Sequence, residues 1–277
     1  MTSTTATAVP APAAPSRRVQ DAAIRAAWFV SPFLILIAIW AIVVPLAGVS
    51  PRTFPAVGAV ITTLGETLAD GTLIANTGAS LMRVLVGASL ALIVGIPFGI
   101  LMGMSKAVSG FFEPLLRFSV ALAGIAWIPI ATLAFGYGEG AVIFIVFNAV
   151  LFAIVYQTLL GVRQIPVSLL RAARSNGASP LRMFFEVYLP GAMPGIAVGA
   201  RTGMGFAWRG LIAAEIIATS LGLGYTLFLA RQYYETDVMI LVMIVIGVLW
   251  LIMDRLVLVP IERHTIQRWG GRQGGGG

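Results

Sequence analysis

Cysteine is absent from the sequence and histidine occurs once, at His264. Disulfides, thiolate chemistry and cysteine- or histidine-based metal clusters are thereby excluded. No Gly-Lys-Ser/Thr phosphate loop occurs, so nucleotide hydrolysis has no motif here. No acidic pair lies at membrane depth with the spacing of an intramembrane aspartyl protease, and the single histidine leaves no serine–histidine dyad elsewhere. Charge is also scarce: 10% of the 277 residues are charged, against about 25% in a soluble domain. With 58% hydrophobic residues and a mean hydropathy of +0.95, the chain has more apolar surface than a core of this size encloses in water. The apolar stretches are continuous rather than alternating, which argues against a β-barrel. The expected class is an all-α integral membrane protein.

The apolar runs define about six transmembrane helices. Residues 1–25, rich in Ala, Thr and Pro at their start, read as a disordered cytoplasmic tail. The run Trp28–Val44 is followed by PLAGVSPRTFP rather than by a small-residue cleavage site, so it reads as an uncleaved first span. Leu46–Thr77 reads as an external loop ending in a short surface helix. The second span, Gly78 to Met104, would be about 40 Å long, which exceeds the hydrocarbon core and implies tilt or protrusion. The third covers roughly Pro114–Phe135 and is followed by a tight turn at Gly136–Gly140. The fourth is Ala141–Leu160, the fifth Gly195–Ala218 and the sixth Val238–Val259. Together they form a membrane domain over residues 26–263, with 264–277 a basic cytoplasmic tail.

Six spans bring both termini to one side, and the charges select the side. With the N-terminus inside, 13 of the 18 Lys and Arg residues fall in cytoplasmic segments or, as Arg117 and Arg255 do, at the cytoplasmic ends of spans, while Arg52 and Arg231 are external and Arg83, Arg201 and Arg209 lie elsewhere within spans. The external segments carry the acids Glu66, Asp70, Glu139, Glu235 and Asp237. That bias places both termini in the cytoplasm. It also accounts for the net charge of +7 through topology and contact with anionic lipid, without nucleic acid.

One long segment between spans four and five is basic, broken by Gly and Pro, and too polar for lipid: LLRAARSNGASPLRMFFEVYLPGAMP, Leu169–Pro194. Arg171, Arg174 and Arg182 are opposed by Glu186 alone. Val167–Ser175 can form a helix after Pro166, Gly177 a sharp turn, and Ser179 the cap of a second helix whose first residue is Pro180. That helix presents Leu181, Phe184, Phe185 and Tyr188. Physical chemistry alone leaves two readings open, a rigid docking feature or an amphipathic helix lying in the interface.

The same residues carry a resemblance. Arg171-Ala172-Ala173, then Gly177-Ala178, Phe184, Leu189-Pro190, Ala192 and Pro194 resemble the EAA motif of ABC-importer permeases. With Ala207-Trp208, Ala213-Ala214-Glu215 and Gly222-Leu223-Gly224-Tyr225, the chain is similar to the nitrate/sulfonate/taurine/bicarbonate permease family from Trp28 to Arg263. The resemblance implies a multi-pass permease subunit of the bacterial inner membrane that works as a homodimer by alternating access. It implies two cytoplasmic ATPase subunits, each gripped through a coupling segment at residues 166–186, and an extracytoplasmic solute-binding protein. ATP and magnesium would belong to the ATPase, with no cofactor on this chain. Arg171, Ala172, Ala173, Gly177, Ala178, Leu181 and Phe184 would form the ATPase contact. The family's motif Glu is Arg171 here, which reverses the polarity of that contact or changes its use. The implied solute is a small polar anion such as a sulfonate, nitrate or bicarbonate; some relatives carry heterocycles.

Polar residues inside the spans are the candidates for the pathway: Asn148, Trp208, Arg209 and Glu215. Arg201 and Arg209, eight apart, are expected to share a helix face. Glu215, six beyond Arg209, is about 120° out of line with it, so any partner comes from elsewhere. Arg209 is either a cavity residue that attracts an anion or one half of a structural ion pair. Glu215 reads as a structural or gate contact and Arg83 as a residue snorkelling to the interface. Asn148 is an interhelical hydrogen bond or a cavity-lining residue, and Trp127 and Trp208 fill helix interfaces or stack on a solute. A passive channel or proton-coupled carrier would instead need a polar pore line or intramembrane acids, of which the spans supply Asn148 and Glu215 and little more.

Overall fold

The computed structural model describes residues 15–48, 50, 53–122, 124–262 and 265. The chain divides into two units, residues 1–61 and 62–277. In the first, α1 (Pro15–Leu46) begins inside the stretch expected as tail. Pro15 occupies the first turn, where its missing N–H is no loss, and the Ala-rich sequence that follows favours a helix. Residues 1–14 of that expected tail, and all of the C-terminal tail except Thr265, lie outside the described residues. From Ala27 to Leu46 the helix is apolar and exposed on every side, as lipid solvation requires. The Trp40 indole donates to the Pro55 carbonyl at 3.1 Å and meets the Phe54 ring edge-on.

After α2 (Val57–Ala69), the spans of the second unit are α3 (Thr72–Met104), α6 (Glu139–Arg163), α9 (Leu189–Ala218) and α11 (Thr236–Met253). Five helices of the described chain are long and apolar enough to cross a membrane, six if a bent pair counts as one span. That pair corrects the third span: α4 (Lys106–Ala121) and the 3-10 turn Gly124–Trp127 leading into α5 (Ile128–Phe135) meet at 100°. Leu122 leaves the helical backbone at φ −74° and ψ 121°. A second correction concerns the start of span five, expected at Gly195, beyond Pro190. Instead α8 (Pro180–Met183) runs through a π-turn, Phe184–Tyr188, into α9, giving 39 continuous helical residues. Asp254–Leu258 is a second π-turn, and Pro260 follows it as Pro190 follows the first. A proline ring clashes with the carbonyl four residues back, and the wider π ring makes room for it without ending the helix. The short helices α7 (Val167–Ser175) and α10 (Leu223–Tyr233) complete the unit; the sequence reading assigned no helix at α10.

The core is α6 clasped between α3 and α9. On α3, Gly87, Gly95, Gly99 and Gly103 lie against Val146, Ile154, Thr158 and Val162 of α6. Every partner is 59 positions further along, which is the signature of parallel helices. Ala91 fills the remaining place in the four-residue repeat and is fully buried. On the other side Gly161 meets Ala192 and Gly195, Gln157 meets Gly199, and Val150 meets Gly203. There one number rises as the other falls, so α6 and α9 are antiparallel. Small residues let the backbones approach closely, which is how membrane helices associate without a hydrophobic driving force. One end of this three-helix core therefore holds the starts of α3 and α6 with the end of α9. The opposite end holds the α7–α8 segment.

Candidate functional site

At the α7–α8 end, two short helices meet at Gly177, whose φ of 75° suits a residue without Cβ. The turn is a Schellman motif: Ala178 N–H donates to the Ala173 carbonyl at 3.1 Å and Gly177 N–H to the Arg174 carbonyl at 2.9 Å. The Ser179 hydroxyl accepts from Arg182 N–H at the start of α8. Leu170, Ala173, Ala178 and Phe184 pack onto the core that contains Ile165, Met183 and Tyr188. The outer face presents Val167, Leu169, Arg171, Ala172, Leu181 and Phe185. Arg182 pairs with Glu186 at 2.8 Å, while Arg171 and Arg174 have no hydrogen-bond or ion-pair partner among the described residues. Of the seven residues expected to make the contact, Ala173, Ala178 and Phe184 therefore hold the segment to the body, and Arg171, Ala172, Gly177 and Leu181 are exposed.

Within the membrane region a cavity of about 310 Å³ opens between α4, the 3-10 turn, α6 and α9. Asn148 and Arg209 both line it, with Leu122, Ile125, Phe152 and Phe206 among the apolar walls. Trp208 does not. It is buried in the core, its ring 6.5 Å from that of Trp250, and its indole N–H has no acceptor among the described residues. Arg201 also points elsewhere: it binds Asp254 at 2.9 and 3.2 Å and Glu262 at 2.8 Å. Eight residues turn through about 800°, some 80° beyond two full turns, so the shared face expected for Arg201 and Arg209 does not exist.

Glu215 is not among the residues that line this cavity. Its carboxylate is fully buried and accepts from Arg83 Nη1 at 2.6 Å, from the Ser80 hydroxyl at 2.8 Å and from Gly224 N–H at 2.9 Å. Arg83, 1% exposed, also grips Glu139 in a two-pronged pair at 2.6 Å and donates to the Leu221 carbonyl at 2.7 Å. The snorkelling expected of Arg83 is thus replaced by two ion pairs of a buried guanidinium, one to the buried Glu215 and one to the exposed Glu139. Asn76 accepts from Gly222 N–H at 2.7 Å and Ser80 from Leu223 N–H at 2.9 Å. The Gly222–Tyr225 turn is therefore tied to α3 and α9 at once. At Gly222, φ is 124° and a Cβ would stand 2.5 Å from Glu215 Oε1, so only glycine fits. Sequence reasoning missed this network because Arg83, Glu139 and Glu215 are remote in the chain; the available signal was that three charges of both signs sit at span ends that the topology brings to one side.

Apolar helices of membrane-spanning length, close-packed and carrying a polar helix pair at one end with a cavity among them, are the architecture of a polytopic membrane protein. Residues 95–259 match the family model described as binding-protein-dependent transport system inner membrane component, and the chain belongs to that family. It is 32% identical over 242 residues to the taurine transport system permease protein TauC of Escherichia coli, covering 86% of this chain and 87% of that one. It is 38% identical over 196 residues to the bicarbonate transport system permease protein CmpB of Synechococcus elongatus, covering 70% and 68%. A putative ABC transporter permease of Methanocaldococcus jannaschii is 36% identical over 224 residues, covering 79% and 84%. The fold matches the MetNI methionine ABC transporter in an inward-facing conformation with a TM-score of 0.62 at 20% identity, covering 71% of this chain and 97% of that chain. The protein is accordingly an ABC-importer permease, a membrane subunit and not an enzyme.

Proposed function

We propose that this permease carries a small anionic solute into the cytoplasm by alternating access, fed by a separate solute-binding protein and driven by a separate ATPase. Two copies of the chain would form the pathway in the inner membrane, with both termini cytoplasmic. The observation that carries the reading is the outer face of the α7–α8 pair. It exposes Val167, Leu169, Leu181 and Phe185 beside Arg171 and Arg174, unpaired among the described residues, on a backbone fixed by a Schellman turn and a serine cap. An exposed apolar patch rimmed by charge on a rigid element marks a protein contact. Arg171 would present a cation to the ATPase, so an acid is its expected partner there. Glu215 then belongs to the external end of the pathway, where it holds the Gly222–Tyr225 turn. The taurine and bicarbonate permeases among the relatives support a solute with a sulfonate or carboxylate-type oxyanion group. The test is reconstitution of the chain in proteoliposomes with and without its ATPase and binding protein. Uptake that requires ATP and both partners is expected; full-rate uptake by the chain alone would overturn the reading.

A further inference from the structure

The three arginines inside the spans differ in one respect. Arg83 is held by Glu139 and Glu215, and Arg201 by Asp254 and Glu262. Arg209 has no ion-pair or hydrogen-bond partner among the described residues and faces the 310 Å³ cavity. It stands nine residues, about 14 Å, from the Ala218 end of α9 and is exposed in the single chain; a charge inside a span calls for a counter-charge. Asn148, 7% exposed, faces the same cavity from α6 and is also unpartnered among the described residues. Polar side chains that face a pocket are the groups that fix a ligand's orientation there. The one cation calls for an anion. Its planar fork suits two oxygens of a sulfonate or carboxylate, and the Asn148 amide can donate to the same head.

The walls narrow the class further. Leu122, Ile125, Phe152 and Phe206 give the cavity an apolar lining, and it is larger than an inorganic oxyanion needs. A bare bicarbonate would leave those walls facing water. No carboxylate is among the described lining residues, so this chain's lining offers no partner to the ammonium of an amino sulfonate or amino acid. We infer that the cavity binds an organic monoanion, its head on Arg209 and Asn148 and its apolar body against Phe152 and Phe206. This rests on the proposed importer function and narrows its solute.

The experiment uses the full chain in lipid nanodiscs, titrated with benzenesulfonate and followed by ligand-observed NMR or calorimetry. Saturable binding is expected, with the uncharged methyl phenyl sulfone, taurine and bicarbonate each about ten-fold poorer as competitors. Arg209→Gln should weaken benzenesulfonate about ten-fold and bring it to the level of the sulfone. Arg209→Lys should keep the preference for charge, and Phe206→Ala should weaken binding while leaving that preference intact. Bicarbonate competing as well as benzenesulfonate would make this an inorganic-anion site and overturn the inference. So would an Arg209→Gln protein that dissociates from its second copy with benzenesulfonate binding unchanged, because Arg209 would then be an interprotomer ion pair. The binding readout needs no ATPase. Absent binding beside intact ATP-driven uptake removes this inference alone, whereas uptake independent of ATP removes the reading on which it rests.

Discussion

Truncating Glu215 should destabilise the protein far more than truncating Glu139, although both carboxylates hold the same arginine. Glu215 is fully buried and receives Arg83, Ser80 and Gly224 N–H, whereas the Glu139 side chain is 64% exposed. Glu215→Ala leaves Arg83 buried with one carboxylate fewer and strips an acceptor from a buried hydroxyl and a backbone amide. Removing one partner of a buried ion pair costs about 3–5 kcal/mol. Glu139→Ala leaves Arg83 with Glu215 and the Leu221 carbonyl and opens its other side to water, at a cost of about 0–1 kcal/mol. At roughly 2–4 °C per kcal/mol for a domain of this size, the unfolding midpoint should fall by about 10 °C in the first variant and by about 2 °C in the second. Intrinsic fluorescence of the full chain in nanodiscs, followed during heating, reads both. A third protein separates charge from volume. Arg83→Met combined with Glu215→Gln removes both charges at similar bulk, so its loss should be smaller than the sum of the two single losses. Equal losses from Glu139→Ala and Glu215→Ala, or additivity in the double variant, would refute the assignment of Arg83 and Glu215 as a buried charge pair.

The glycines give a graded series. Gly195→Ala sets a Cβ 2.5 Å from the Gln157 carbonyl oxygen, a backbone atom that cannot give way, whereas nothing lies within 4 Å of a Cβ at Gly110; the first should cost about 1–3 kcal/mol by thermal unfolding and the second nothing measurable. Gly222→Ala, with a positive φ and a Cβ directed into the Arg83–Glu215 pair, should release the Gly222–Tyr225 turn and expose its amides to hydrogen exchange. Leu181→Asp, on the exposed face of α8, should abolish ATPase stimulation by the permease in the reconstituted complex while leaving the permease's own melting midpoint unchanged; wild-type coupling would exclude this face as the contact. Asp70 accepts from both the amide and the hydroxyl of Thr72, which holds its carboxyl below the usual carboxylate range. Its contribution to the α3 start is therefore full above the ordinary carboxylate pKa and lost as pH falls through the lowered one, and Thr72→Val, which removes the hydroxyl and keeps the amide, should move the titration, followed by carboxyl NMR, part of the way back towards the ordinary value.

The spans were legible because long apolar runs are the strongest signal a sequence carries, and the Gly177 turn because glycine, serine cap and proline fall in the order that a helix pair needs. Three features were not legible, each for a physical reason. The break in the third span is set by Leu122 turning into extended backbone, and nothing in an apolar run announces that turn. The continuity through Pro190 depends on a π-turn, whereas proline ordinarily signals a helix end. The partners of Arg83, Arg201 and Glu215 depend on which helix ends coincide in space, so even a correct list of intramembrane charges left their pairing undetermined. Helix periodicity did show that Arg209 and Glu215 could not pair with each other. It was misapplied to Arg201 and Arg209, where the 80° left over after two turns sends one to the last helix and the other to the cavity.

That continuity through Pro190 bears on how the proposed transport cycle would work. Had proline ended the helix at the membrane surface, movement of the α7–α8 pair would be absorbed in a joint, and the pathway would need another connection to the ATPase. Instead Pro180–Ala218 is one helical rod. Near its start it carries the exposed Leu181, nine residues from its end Arg209 at the cavity, and in its last turn Glu215, the anchor of the Gly222–Tyr225 turn. Its glycines Gly195, Gly199 and Gly203 lie directly against Gln157, Gly161, Ile154, Val150 and Ala153 of α6, a close seam that holds the two helices in line. A push at α8 would therefore reach the solute cavity and the far anchor together. The buried Arg83–Glu215 pair would resist it at one end, and the close α6–α9 seam would guide it. On this view the π-turn is what lets a proline-containing segment act both as a docking helix and as the end of a lever.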